Sequence, residues 1–323
     1  MQLKDALKIV AEALGKDEGL PSHVRIRDGR ISADGGVLAV NCPVMALFDA
    51  VVPGRELADV LDAAPDNPSV AVVDDRLVVK SGRFKADIAT LPSADFPMIE
   101  LPADGRNLPD VAGVTKACRT IGKMIKSDNP APWMSALILN KNKAYAIGAE
   151  AKIVCSMPLV EDHGFALLPE AAVHYIANRA DDPIRARATN STVSFEWSDD
   201  SWMYTRQVAG TLPAQVVKLL ASAKQDGWKI DDAWRLSIAR LAKLSADNKL
   251  TLAPDMMKVS GRKAFVEDGS SAPLPKGVAE TPWILDVLQT VLEHAEWIDL
   301  GAWPKPVAFG NSEGLIGVLG TRS

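Results

Sequence analysis

The side chains best able to act as nucleophiles or metal ligands are three cysteines (Cys42, Cys118, Cys155) and four histidines (His23, His163, His174, His294), scattered through 323 residues. No C-x-x-C pair occurs and no histidine follows a cysteine at ligand spacing, so neither a disulfide framework nor a zinc site is encoded. Cys155 lies in the strand-like run Lys152-Ile153-Val154-Cys155-Ser156-Met157, where a small buried hydrophobe is its ordinary role. The adjacent carboxylates Asp74 and Asp75 suit a hairpin turn better than acid–base work. Neither a phosphate loop nor G-x-G-x-x-G is present. No catalytic residue, metal or cofactor is expected, and the chain reads as a protein that is not an enzyme.

Charge is more informative. The formal net charge is −5, yet the run from Val114 to Lys126 carries Lys116, Arg119, Lys123 and Lys126 at intervals of three, four and three, with no acidic residue inside it. That spacing predicts one basic helix face opposite a buried face of Val114, Ala117, Ile121, Met124 and Ile125. Neighbouring like charges on a helix cost a few tenths of a kcal/mol, on the order of 0.2–0.5 per pair, unless an anion compensates. Arg235, Arg240 and Lys243 recur beside Trp234, Ile238, Leu241 and Leu244, and Lys4 and Lys8 beside Leu3, Leu7, Val10 and Leu14. Basic helices in an acidic chain imply segregated charge, the pattern of a phosphate path with sequence-independent backbone contacts. No platform of aromatic side chains for stacked single-stranded bases accompanies them.

The elements that position these residues repeat three times. A strand end, a proline at the first turn of a helix and an amphipathic helix recur at Val52-Pro53…Leu57…Leu61, Leu168-Pro169…Val173…Ile176 and Thr281-Pro282…Leu285…Leu288. The prolines stand 116 and 113 residues apart, which argues for three like modules, over 1–107, 108–212 and 213–323. Each reads as helix, strands, helix, strands, with six helices and about twenty strands in all. The first helices are expected near 3–14, 114–126 and 232–246, and the second near 55–63, 169–180 and 282–294. Asp28-Gly29 is a hairpin dipeptide, 101–110 a linker and 269–276 a loop. The fold class is α+β, with helices on one face of antiparallel sheets.

With 47% hydrophobic and 24% charged residues and no apolar run long enough to span a bilayer, the composition is that of a globular protein with no membrane partner. The start, Met1-Gln2-Leu3-Lys4-Asp5, lacks the pattern of a signal peptide, so a cytoplasmic location rather than export is expected.

The segment Ser81-Gly82-Arg83-Phe84 through Thr90-Leu91-Pro92 to Asp95-Phe96-Pro97 resembles the bacterial DNA polymerase III β sliding clamp family. Val24 to Ser32, Val154-Cys155-Ser156-Met157-Pro158, Trp283 to Leu288 and the ending Gly317 to Ser323 agree in order, so the resemblance covers nearly the whole chain. It implies the DNA-clamp fold: three modules, each with two helices and antiparallel sheets, and a head-to-tail homodimer closing a ring whose helices line a central hole. Such a protein encircles duplex DNA and tethers a replicative polymerase as a processivity factor.

By the same resemblance, Lys16 and Arg55 join Lys4, Lys8, Lys116, Arg119, Lys123, Lys126, Arg235 and Arg240 as DNA-binding residues. A pocket for short peptides of the polymerase and clamp loader is implied at Met134, Leu212, Pro213, Val217, Trp283, Pro304, Pro306, Val318, Leu319 and Arg322. The dimer junction is implied at an edge strand bearing Ala86 and Ile88, paired with the third module near Lys243 and Leu244. Departures are the stretch Ala149-Glu150-Ala151-Lys152, the ending Leu319-Gly320-Thr321, the residues Ala86 and Lys243 where apolar contacts are usual, and a start directly at the first helix without the family's short leading strand. They mark a trimmed, divergent relative of phage or bacterial origin. They also keep open a second reading, a clamp-fold scaffold for protein partners that does not encircle DNA.

Overall fold

An antiparallel ladder needs a partner on both sides of each inner strand, and the order of the elements follows from meeting that need. The computed structural model describes residues 1–15, 19–65, 67–97, 99–125, 129, 131–148, 152–253, 256–260, 265–268, 281–302 and 304–320. The chain opens with α1 (Leu3–Ala11), β1 (His23–Arg27), β2 (Arg30–Asp34), β3 (Leu38–Pro43), β4 (Ala50–Pro53), α2 (Gly54–Ala63), β5 (Ser69–Val73), β6 (Arg76–Ser81) and β7 (Phe84–Ala89). There follow β8 (Arg106–Asn107), α3 (Val111–Thr120), β9 (Ala136–Asn140), β10 (Lys143–Gly148), β11 (Ile153–Pro158), β12 (Phe165–Pro169), α4 (Glu170–Asn178), β13 (Arg185–Ala188), β14 (Thr192–Glu196) and β15 (Trp202–Arg206). Next come α5 (Ala214–Ala221), β16 (Trp228–Lys229), α6 (Asp232–Leu244), β17 (Lys249–Ala253), β18 (Met256–Ser260) and β19 (Phe265–Asp268). The last elements are β20 (Thr281–Ile284), α7 (Leu285–Leu292), β21 (Trp297–Ile298), β22 (Val307–Gly310) and β23 (Ile316–Leu319).

The contacts divide the chain into two compact units, Met1–Thr115 with Asn178–Gln207 and Lys116–Ala177 with Val208–Ser323. The first holds an eight-stranded sheet ordered β4-β1-β2-β3-β15-β14-β13-β8 and a three-stranded sheet β5-β6-β7. The second holds an eight-stranded sheet β12-β9-β10-β11-β23-β22-β21-β16 and a four-stranded sheet β19-β18-β17-β20. In each large sheet, a four-strand group ordered fourth-first-second-third is extended by a three-strand meander from further along the chain. The joints are antiparallel: Val40 opposite Met203 where β3 meets β15, and Val154 opposite Val318 where β11 meets β23.

Helices cover the sheets with the faces that the apolar spacing predicts. Ala6, Leu7 and Val10 of α1 are buried against β2, β3 and α2, and Leu57 and Leu61 of α2 are buried as well. Complete burial of a Leu or Val side chain contributes about 1.5–3 kcal/mol. Asp231 caps α6, its Oδ1 accepting from the Trp234 N–H at 2.8 Å. Asp28 (φ 50°) and Gly29 (φ 72°) form the β1–β2 turn. Asp74 (φ 48°) and Asp75 (φ 57°) form the β5–β6 turn, as their hairpin reading requires.

Several expectations are corrected. The recurring prolines do not open helices: Pro53 and Pro169 end β4 and β12, and Pro282 lies inside β20. All three strands are sheet edges, where a residue without an N–H leaves no ladder bond unmade. The helix expected to reach Lys126 stops at Thr120, and a 3-10 turn follows at Gly122–Met124. The side chain of Val173 leaves no room for a Cβ at Gly122, so a poor helix former is required there. The stretch 101–110 is more than a linker, because it supplies β8. The helix α5 was not anticipated, and seven α-helices stand among the described residues. The loop expected at 269–276 lies outside them.

The β22–β23 joint is a close approach: a Cβ at Gly317, paired there with Phe309, would collide with the Phe309 ring. Gly317→Ala should cost about 1–3 kcal/mol through overpacking, measured as a lower denaturant midpoint. An unchanged midpoint would mean that the joint is not tightly packed.

Candidate functional site

None of the three cysteines is placed to act as a nucleophile. Cys42, Cys118 and Cys155 are all buried, and burial pushes each thiol up to about 12. The Cys155 Sγ faces Met124 Sδ at 3.3 Å and Ala146 O at 3.7 Å, a packed sulfur rather than a thiolate beside a base. Among the described residues, no cluster of three His, Cys, Asp or Glu side chains could hold a metal ion, and no helix is long and apolar enough to cross a membrane.

The basic residues have more varied surroundings than their spacing suggests. In the first unit, Lys4 reaches the end of α2, where Nζ lies 2.9 Å from Asp62 and donates to Leu61 O at 3.3 Å. A cation at a helix C-terminus is favourable, and the Lys4 ammonium holds the Asp62 carboxyl below its usual range. Lys8 and Arg55 are exposed. Along α3 and the turn after it, Val114, Ala117, Ile121, Met124 and Ile125 are buried, while Lys116 and Lys123 are exposed and Arg119 half-buried. Lys116 pairs with Glu313 at 3.1 Å and Lys123 with Glu293 at 3.5 Å. Both pairs are about half exposed, so each is worth on the order of 0–1 kcal/mol and yields easily to a stronger anion. These glutamates are the anions that the all-basic helix face calls for, and they escape sequence reading because they come from some 170–200 positions further along.

Arg235 donates to Ala295 O at 2.6 Å and so helps fasten α6 to the segment after α7, whereas Arg240 is exposed. Burial, followed by the charge of Lys123, pushes the His294 imidazole below its usual pKa. Lys16, Lys126 and Arg322 lie outside the described residues.

Three of the ten expected pocket residues meet in one apolar cluster of the second unit. Met134 and Val318 are buried in it with Ile138, Tyr145, Val154 and Leu220, and Leu212 packs against it half-buried. One wall is α5, lying against β11 and β23. Pro213 caps that helix, and Val217 stands 39% exposed on it. Tyr145, Val154, Val216 and Leu220 are wall residues that sequence reading missed. The apolar spacing Val216, Val217, Leu219, Leu220 after Pro213 was the available signal. Trp283 is buried on β20, its indole N–H donating to Thr281 Oγ1 at 2.8 Å, and Leu319 is buried on β23. Neither belongs to the cluster, while Pro304 and Pro306 are exposed before β22.

The four junction residues occupy two kinds of element. Ala86 and Ile88 lie on β7, an edge of its three-stranded sheet, with Ala86 half-buried and Ile88 turned inward at 1% exposed. Lys243 and Leu244 end α6, within the helix expected there, and each is exposed. That helix packs against β18 and β19, and β19 is itself a sheet edge.

No protein-family model matches the chain. Among curated proteins, 51 residues are 43% identical to the beta sliding clamp of Vibrio cholerae, over 15% of this chain and 14% of that protein. A stretch of 86 residues is 29% identical to the beta sliding clamp of Salmonella typhimurium, over 24% of each. The matched stretches thus span no more than about a quarter of these two relatives. Solved structures match end to end. The Helicobacter pylori beta clamp bound to a DNA ligase peptide superposes with a TM-score of 0.75 at 14% identity, covering 99% of this chain and 97% of that one. The DNA polymerase III beta subunit of Thermotoga maritima gives 0.74 at 18% identity, covering 100% and 97%. The fold is that of the DNA polymerase III β clamp. The superposition runs the length of the chain, so both eight-stranded sheets and both smaller ones lie within the matched span.

The thiols supply a direct check. At pH 8, below all three raised pKa values, native protein should resist iodoacetamide and react at three sites only once denatured. Rapid labelling of the native chain at Cys155 would contradict its burial.

Proposed function

We propose that this chain is a DNA sliding clamp: two copies close head to tail around duplex DNA and hold a replicative polymerase on it, without chemistry of their own. The modules would be 1–107, 108–212 and 213–323. The observation that carries the reading is an unfinished recurrence in the sheets. The third strand of the first repeat pairs with the last strand of the second (β3 with β15), and the third strand of the second pairs with the last strand of the third (β11 with β23). Among the described residues, the third strand of the third repeat, β19, and the last strand of the first, β7, remain as sheet edges. The same pairing between copies would complete both, with Ala86 on the edge and Lys243 and Leu244 of α6 beside it. Edges left open invite association.

The basic residues of the first helices suit weak phosphate contacts. A closed ring cannot leave DNA sideways, so weak contacts suffice and strong ones would impede sliding. The apolar cluster beside α5 is the candidate seat for a short peptide from a polymerase or loader, in keeping with the ligase peptide bound to the Helicobacter pylori clamp. A DNA-bound role places the protein in the cytoplasm with the nucleoid. The ion pairs of Lys116 and Lys123 favour a second reading, a clamp-fold scaffold that binds protein partners without encircling DNA, because they lower the charge available to phosphate.

Light scattering separates the two readings, a dimer at micromolar concentration supporting the first and a monomer the second. Loaded on a nicked circle, the protein should be retained through gel filtration and lost when the circle is linearised; equal loss from both forms would refute encirclement. Replacing Lys116, Arg119, Lys123 and Lys126 by Ala should lower the salt slope of association by up to about 0.9 for each phosphate no longer neutralised. Glu293→Gln with Glu313→Gln should raise association at low salt, and no change in either series would discredit the basic face. For the peptide seat, Val217→Asp is the variant of choice, since deleting 318–323 would also remove part of β23. It should abolish polymerase stimulation while leaving the dimer intact.

A further inference from the structure

In two of the three repeats the meander at the end of the repeat gains a short strand from just before the first helix. Arg106 and Asn107 of β8 pair with β13, and Trp228 and Lys229 of β16 pair with β21, both antiparallel. The two segments share a pattern, Asp104-Gly105-Arg106-Asn107-Leu108 and Asp226-Gly227-Trp228-Lys229-Ile230. Each part of it has a physical reason. A Cβ at Gly105 would press on the Ala188 backbone, and one at Gly227 on the Ile298 backbone, so glycine lets the strand approach its neighbour. Leu108 and Ile230 are buried, and their N–H groups donate to Ala186 O at 2.9 Å and Glu296 O at 2.8 Å.

In the first repeat the described residues show the acceptor edge without a paired strand. Among the described residues nothing pairs with the outer edge of β5, whose Val72 and Val73 are exposed. A cleft of about 240 Å³ lies there, between the start of α1 (Gln2 to Asp5), the end of α2 (Leu61, Ala64, Pro65) and Val70 of β5. Helix spacing equates Leu3, Ala6, Leu7 and Val10 with Val114, Ala117, Cys118 and Ile121, and with Trp234, Ser237, Ile238 and Leu241. Every member of the set is buried except Leu3, which is only half-covered and lines the cleft.

We propose that the β5 edge and this cleft bind an extended Gly-x-x-aliphatic segment of a partner protein, antiparallel to β5, with the aliphatic side chain seated against Leu3. Main-chain hydrogen bonds supply affinity and the cleft supplies selectivity, as in other strand additions.

The probe is a fluorescent hexapeptide copying residues 226–231, added to the full chain. Saturable binding is expected, with hydrogen exchange slowed at residues 70–73. Binding should weaken at least about tenfold when the peptide carries Ile230→Asp or Gly227→Val, or when the chain carries Leu3→Lys. The peptide variants keep the test decisive even if the chain variant folds poorly. No saturable binding at millimolar peptide, equal binding of Ile230→Asp, or slowed exchange confined to residues 296–298 would overturn the proposal. A peptide-induced fall in sedimentation coefficient would overturn it too, by showing that β5 is covered by a second copy.

Discussion

Everything in this structure depends on giving sheet edges a partner. Backbone N–H and C=O groups left unpaired and away from water cost about as much as broken hydrogen bonds, and a four-strand group ordered fourth-first-second-third always leaves its third strand facing outward. The chain meets that need by bringing in the last strand of the following repeat, as β15 does for β3 and β23 for β11. The other ends of these sheets are managed differently. The edge strands β4, β12 and β20 carry Pro53, Pro169 and Pro282, which suits an edge that should not recruit a further strand. Proline thus marks the fourth strand of each group as an edge that is not extended.

Four like charges on a short stretch are tolerable because the same unit supplies Glu293 and Glu313 to two of them. Half-exposed pairs of this kind fix little and dissociate at small cost. They set an intermediate state: positive charge is held at the surface in ordered positions, already screened, and an incoming phosphate must compete for it. The residue Lys4 is committed further, to the carboxyl of Asp62 and a carbonyl at the end of α2, so its charge serves the helix pair first.

How much of this was legible in the sequence varies with range. Local periodicity located the helices, and hairpin chemistry located the turns at Asp28-Gly29 and Asp74-Asp75, because those signals act over a few residues. The threefold spacing of the prolines was visible, but its meaning was not: first helical turn and edge strand tolerate the same missing N–H, and only pairing distinguishes them. The strand β8 was hidden for a related reason, since two residues show no period and are held by contacts with β13 some 80 positions away. The helix α5 is short, and its apolar residues at 216, 217, 219 and 220 do not form a clean stripe. Their partners, Met134 from the 3-10 turn before β9 and Val318 from β23, lie far away in the sequence. The family resemblance reached the fold, and the physical content of the site emerged only with the pairs and clusters themselves.

The two edges β7 and β19 differ from the proline-bearing ones in a way that bears on assembly. Neither carries a proline, and β7 offers a polar outer pattern, with Lys85 paired to Asp87 at 3.0 Å around the small Ala86, while Ile88 is committed to its own core. A junction built there would gain main-chain hydrogen bonds but little apolar burial from β7 itself. At roughly 25 cal/mol per Å² of apolar surface, an edge of small and charged side chains adds little beyond the ladder. Stability would then have to come from neighbouring elements such as exposed Leu244 on α6. Such an edge favours register and orientation over strength, and with most of its cohesion in backbone hydrogen bonds, a joint of this kind can be opened without exposing a large hydrophobic surface.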